Sequence, residues 1–265
     1  MKQFKLTSLS LLALIALSCS DDEPEVIYQT VTETETVVET VTETVTVEAP
    51  TYVLDADITE DTTLDASVIW TLDGRVFVKN GATLTIPAGT IIKAAGGTGT
   101  NASVLVVAQG ASIQANGTAE APIIMTSVAD DIEVGQLAGS NLDQNVRGLW
   151  GGLIVLGNAH VHGDDPAGAT TQQIEGIPAD VAEGLFGGTD DTDSSGSITY
   201  LSVRHGGAEI GADNEINGIT FGGVGNGTTV NHIEVVGNVD DGVEFFGGSV
   251  NATNVIVWGQ GDDAV

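Results

Sequence analysis

The last fifty residues of the chain repeat themselves, and that repeat limits what the chain can fold into. Gly218-Ile219-Thr220-Phe221-Gly222-Gly223 returns 24 residues later as Gly242-Val243-Glu244-Phe245-Phe246-Gly247-Gly248. Val230-Asn231-His232-Ile233-Glu234-Val235 returns after 22 residues as Ala252-Thr253-Asn254-Val255-Ile256-Val257, and echoes the earlier Ile198-Thr199-Tyr200-Leu201-Ser202-Val203. Asp240-Asp241 returns as Asp262-Asp263. A period of roughly 20–25 residues with short strand-like pieces is that of a solenoid coil. Leu201/Val203, Ile233/Val235 and Val255/Val257 keep a period of two, so one face of each piece points inward. Gly, Asn and Asp mark the bends. One such coil cannot bury its own strands, whereas stacked coils share a continuous core. A propeller blade needs roughly 40 residues, and no leucine-rich scaffold is present. The expected fold is all-β, a parallel β-helix over residues 51–265.

Earlier segments extend the pattern. Val76 to Lys93 alternates apolar and polar residues around Asn80-Gly81 and Pro87-Ala88-Gly89, and Leu105 to Ala115 repeats it, with Gly110 answering Gly81. Tyr52 to Thr63 reads as an N-terminal cap over an otherwise open sheet end. Arg147 to Gly157 reads as a strand flanked by glycines, and Gly163 to Asp193 as a loop extruded from one coil edge.

The N-terminus gives an address. Lys2 and Lys5 precede an apolar stretch, Leu6 to Leu17, too short to span a bilayer and suited to a signal peptide over residues 1–18. Ala16-Leu17-Ser18-Cys19 resembles a lipobox, in which cleavage precedes a cysteine that becomes lipid-modified. Cys19 is the only cysteine, so no intrachain disulfide can form. Ser20-Asp21-Asp22-Glu23 resembles the acidic export signal of Bacteroidetes surface lipoproteins. The expected localisation is therefore the outer membrane, exposed on the cell surface. Residues 19–50 read as the lipid anchor and a low-complexity Thr/Glu/Val stalk, too polar to build a core. Ile27, Val31, Thr34, Val38, Val41 and Val45 offer a coiled-coil seam as the alternative to an extended stalk.

Charge narrows the partners. The 265 residues carry 7 Lys+Arg against 37 Asp+Glu, a formal net charge of −30. Loss of Lys2 and Lys5 with the leader takes it to −32. This excludes nucleic acid, whose binding rests on cationic neutralisation of phosphates, and leaves divalent cations and glycans.

One combination of motifs is more specific than any of its parts. Trp150-Gly151-Gly152-Leu153, Ile174-Glu175-Gly176, Gly187-Gly188, Ser195-Gly196 with Tyr200, Asn217-Gly218-Ile219-Thr220 and Asp240 to Gly248 resemble a family of secreted bacterial right-handed β-helix lipoproteins with a pectin-lyase-like fold. The resemblance covers about residues 70 to 265. It implies right-handed coils, as parallel crossovers generally are, but implies no activity. Members of the family usually continue beyond a second Asp-Asp element, so the ending at Asp262-Asp263-Ala264-Val265 predicts a C-terminally truncated sequence.

Two acidic groups could carry chemistry. Asp240, Asp241 and Glu244, with Asp262 and Asp263 one coil later, would form a carboxylate column at the strand spacing of about 4.8 Å. Such a column suits turn-building, a cation ladder or acid/base work on a glycosidic bond. Asp191, Asp193 and Ser195 have the spacing of the first ligands of a calcium loop, without its late acid. His160 and His162 could hold zinc but lack a third ligand, and Trp150 and Trp258 could stack on sugars. The functional expectation is a surface-tethered, non-enzymatic β-helix that binds glycans or divalent cations. No cofactor is required, and Ca2+ is the ion the spacing suggests. The alternatives are a polysaccharide hydrolase, ahead of a lyase, and a structural surface component.

Overall fold

The computed structural model describes residues 52–161, 170–211 and 214–265. Cys19, the stalk and His162 lie outside the described residues. The described chain winds as a right-handed parallel β-helix whose coils present three stacks of strands.

The first stack is a five-stranded parallel sheet of Arg75–Val78, Val104–Val107, Leu153–Leu156, Ile219–Val224 and Val243–Gly248. The second and third stacks belong to one ten-stranded sheet. They fuse because Gly196–Arg204 is long enough to serve both. Its start pairs with Ser112–Asn116, and its end pairs with Ile123–Ser127. The bend between the halves falls at Tyr200, which has φ 48°. His232 (54°) and Asn254 (55°) repeat that bend in Thr229–Val236 and Asn251–Trp258. Left-handed backbone at a non-glycine residue is uncommon, so three at equivalent positions mark a structural corner.

The repeat read from the sequence is the register of the helix. Ile219 pairs with Val243 and Phe221 with Phe245, while Val203, Val235 and Val257 stack in line. Leu201, Val203, Ile233 and Val235 are buried. Val255 and Val257 are only half-buried, because their strand is paired on one side alone. Gly218 lets opposite walls of the core meet: a Cβ there would clash with Val235 Cγ1 and lie 2.6 Å from the Gly242 carbonyl oxygen. The Tyr52–Thr63 segment is itself a first coil, pairing in parallel through Val53–Leu54, Ile58 and Thr62–Thr63.

The outer face of the first stack is covered. Phe77, Val106, Ile154, Thr220 and Glu244 follow one another in register along it. Ile174, Ile177 and Phe186, from the insertion between coils, pack with Phe77, Val106 and Ile154 as a second apolar cluster. That insertion closes with a short antiparallel pair, Gln172–Gln173 against Leu185–Phe186. The outward column thus turns from apolar to polar at Thr220, and Glu244 occupies the next position.

Candidate functional site

Glu244 enters a position that earlier coils fill with Phe, Val and Ile, so its carboxyl is drawn out of water. Two residues meet it there. Glu175 comes from the insertion, and Asn217, 1% exposed, is separated from the Ile219–Val224 coil strand by Gly218 alone. Asn217 Nδ2 donates to Glu175 Oε1 at 2.9 Å and to Glu244 Oε2 at 2.6 Å, with Thr220 Oγ1 at 3.4 Å. One amide thus bridges the two carboxyls. Burial, then the Glu175 charge, pushes the Glu244 carboxyl up to about 7, with the Glu175 hydrogen bond and the Asp241 charge adding to it. Burial is also the first cause of the raised Glu175 carboxyl; its hydrogen bonds to Asn217 and Glu244 oppose the rise, and Asp240 and Asp241 add to it. Two like charges this close cannot both form cheaply, so the pair tends to hold a proton near neutrality.

Beside this pair, Asp240, Asp241 and Asp262 bring carboxylate oxygens within 4.8 Å of one another. The 22-residue repeat puts them there. Gly218 N–H donates to the Asp241 carbonyl, and one coil later Gly242 N–H donates to the Asp263 carbonyl, both at 3.0 Å. Burial first, then the Asp241 and Asp262 charges, raises the Asp240 carboxyl. Asp263 is not in the cluster; its N–H donates to Asp241 Oδ1 at 2.8 Å. Among the described residues, no lysine, arginine or histidine forms an ion pair with this corner.

The model of a family described as a pectate-lyase-like beta helix domain matches residues 56–265. The chain belongs to this family. No curated protein and no solved structure matches it.

Membership in the pectate-lyase-like family frames what the corner can do. Glycosidase carboxyl pairs stand about 5–5.5 Å apart to retain configuration and about 6.5–9.5 Å apart to invert it. Glu175 Oε1 and Glu244 Oε2 both accept from the one Asn217 amide nitrogen, which holds them too close together for the inverting arrangement. The corner can hold a proton near neutrality and gather cation-binding oxygens.

The Asp191, Asp193 and Ser195 turn is engaged differently from the cation loop its spacing suggests. Asp191 Oδ1 accepts from His160 N–H at 3.0 Å and meets His160 Nδ1 at 2.9 Å. Asp193 Oδ2 and Oδ1 accept from the backbone and side chain of Asn158, at 3.0 and 3.1 Å. Ser195 is buried, its Oγ donating to the Leu156 carbonyl. These side chains clasp the turn that leaves the Leu153–Leu156 strand. Trp150 is buried, with Nε1 donating to the Arg204 carbonyl at 2.7 Å, whereas Trp258 is 46% exposed.

Sequence reasoning did not single out Glu175 or Asn217. Both lie in motifs that carry the family resemblance, Ile174-Glu175-Gly176 and Asn217-Gly218-Ile219-Thr220. The available signal was an acid inside an otherwise apolar insertion run, Ile174 to Ile177. It also missed a cavity of about 310 Å³ on the outer face of the third stack, lined in part by Arg204, Glu234 and Trp258.

Proposed function

We propose that this β-helix binds carbohydrate without cleaving it, at the cell surface, held to the outer membrane through a lipid on Cys19. The observation that carries the non-enzymatic reading is the Asn217 amide, which donates to both Glu175 and Glu244 and so occupies the space between the two carboxyls. The absence of ion-paired cations from the corner, among the described residues, adds to it, since a lyase needs a base and countercharges for an anionic chain. The test is incubation of the purified protein with neutral and acidic polysaccharides. Retention on at least one polysaccharide is expected, with no reducing ends or unsaturated products released. Product release that Asp241→Asn or Glu244→Gln abolishes would replace this reading with the second one, a polysaccharide hydrolase. That alternative draws on the Glu244 carboxyl, whose value of about 7 suits a general acid at neutral pH.

We further propose calcium as the cation of this corner, with Asp240, Asp241 and Asp262 as its ligands, because hard cations take several carboxylate oxygens. A ligand at 100 times its Kd adds about 2.7 kcal/mol of stability. Calcium should therefore raise the melting temperature more than magnesium, or sodium at matched ionic strength, and Asp241→Asn should remove the difference. Equal shifts from all three salts would show screening alone.

A further inference from the structure

The outer face of the third stack changes character along the helix. Ile69, Ile91, Ile124, Ser202, Glu234 and Ile256 follow one another in register. The first three are sealed by Ile132, so there the face is an apolar contact. Beyond Ser202, which is itself buried, the segment between the Ile123–Ser127 and Leu153–Leu156 strands forms the far wall of the 310 Å³ cavity.

Its floor is held rigid. Arg204 donates from Nε to Ser202 Oγ at 2.7 Å, from Nη1 to the Leu137 carbonyl at 2.9 Å, and from Nη2 to Glu234 Oε2 at 3.5 Å. Ser202 Oγ donates to the same Glu234 oxygen at 2.5 Å. One wall is the indole of Trp258, set beside Val236 by the register of the last two strands. The other wall carries Asp143 and Gln144. Glu234, from the floor, completes the polar lining with them.

We infer that this cavity is a binding site for a neutral pyranose residue of a glycan, stacked on Trp258 and hydrogen-bonded through its hydroxyls to Glu234, Asp143 and Gln144. The inference rests on the carbohydrate-binding reading above and gives it an address. The volume lies at the small end of ligand pockets, enough for a sugar ring and too little for an extended chain. An exposed aromatic face offers apolar area to the C–H face of a ring with little side-chain entropy to lose. The carboxylate and amide oxygens that line the cavity suit hydroxyl donors. Charge decides the class of sugar. Asp130, Asp143 and Glu234 line the cavity against the single guanidinium of Arg204, so a uronate would meet net repulsion. The site therefore rejects the acidic glycan that the family's description brings to mind.

Affinity electrophoresis of the full chain in gels containing a soluble neutral β-glucan, or polygalacturonate, tests this. The wild type should be retarded by the glucan and not by polygalacturonate. Trp258→Ala should weaken the glucan interaction roughly tenfold or more, while Trp258→Phe retains most of it. The urea midpoint is read for each variant, and Trp258→Phe, which keeps an aromatic face, separates lost binding from lost folding. Unaltered binding by Trp258→Ala would overturn the site and leave the carbohydrate reading standing. Retardation by polygalacturonate as strong as by glucan would overturn the choice of a neutral sugar. Retention on no polysaccharide would overturn both readings together.

Discussion

Val235→Asp is expected to unfold the helix, whereas Ile256→Asp on the next strand is expected to change stability by no more than about 0.5 kcal/mol. Val235 is 1% exposed and packs in the main core, between Val203 and Val257 in register. Burying a valine contributes about 1.5–3 kcal/mol. An unpaired charge in its place adds a further penalty of about 3–5 kcal/mol. The combined loss, about 5–8 kcal/mol, is comparable with the whole stability of a typical domain. In a helix of stacked coils the damage also propagates, because each coil is stabilised by its neighbours. Ile256 faces outward and is 59% exposed, so a charge there stays in water. Urea unfolding followed by far-UV circular dichroism reads both variants. A Val235→Asp midpoint near that of the wild type would be incompatible with the stacked core.

The core was legible because its information is local and periodic. Alternation in Ile233–Val235 and Val255–Val257 sets which residues point inward, and the recurrence of Gly-x-x-Phe fixes which strand lies on which. The unbroken apolar runs Val104–Val107 and Leu153–Leu156 carried a signal that the alternation reading passed over, since a strand apolar on both faces is covered on both. The cover itself lies in an insertion without a period, so its path over the first stack could not be read. For the same reason the sequence placed Glu244 with the aspartates and not with Glu175. Their meeting depends on where the insertion lands and on the amide of Asn217, neither of which is periodic. The Asp191 and Asp193 spacing was real but its chemistry was not fixed by spacing: Asn158 and His160, from a distant turn, supply the donors. The Trp258 cavity was illegible on the same grounds, since its far wall belongs to an irregular segment remote in the chain from the strands it faces.

Stability should fall as the pH rises from about 4.5 to about 7, opposite to the usual behaviour of a protein held by ionised carboxylates. The reason is the proton that the pair holds. In the unfolded chain Glu244 releases its proton around its ordinary value of 4.5, whereas in the folded protein it holds it to about 7. A group that binds protons more tightly when folded contributes its full stabilisation below the lower value and loses it as the pH climbs through the higher one. Glu175 is raised too, so it acts in the same direction. The charged groups facing the pair are Asp240 and Asp241, which oppose its ionisation further. Allowing for the solvent that reaches both side chains, the loss should be about 1–2 kcal/mol. Below pH 4 the trend reverses, because Asp65, Asp131, Glu183, Asp190 and Asp191 are held below their ordinary values by hydrogen bonds that protonation breaks. Self-repulsion at a net charge of −30 also weakens the fold as the pH rises, so the informative quantity is the difference between wild type and Glu244→Gln. Glutamine keeps the shape and the bond from Asn217. With a chelator present to exclude cation binding, urea midpoints of the two proteins should agree at pH 4.5 and diverge by pH 8, with Glu244→Gln the more stable. Glu175→Gln should do the same, and the double variant should gain little beyond either single one, since removing one carboxylate already relieves the contact. Wild-type and Glu244→Gln midpoints that run parallel across this range would show that the two glutamates do not hold a proton near neutrality.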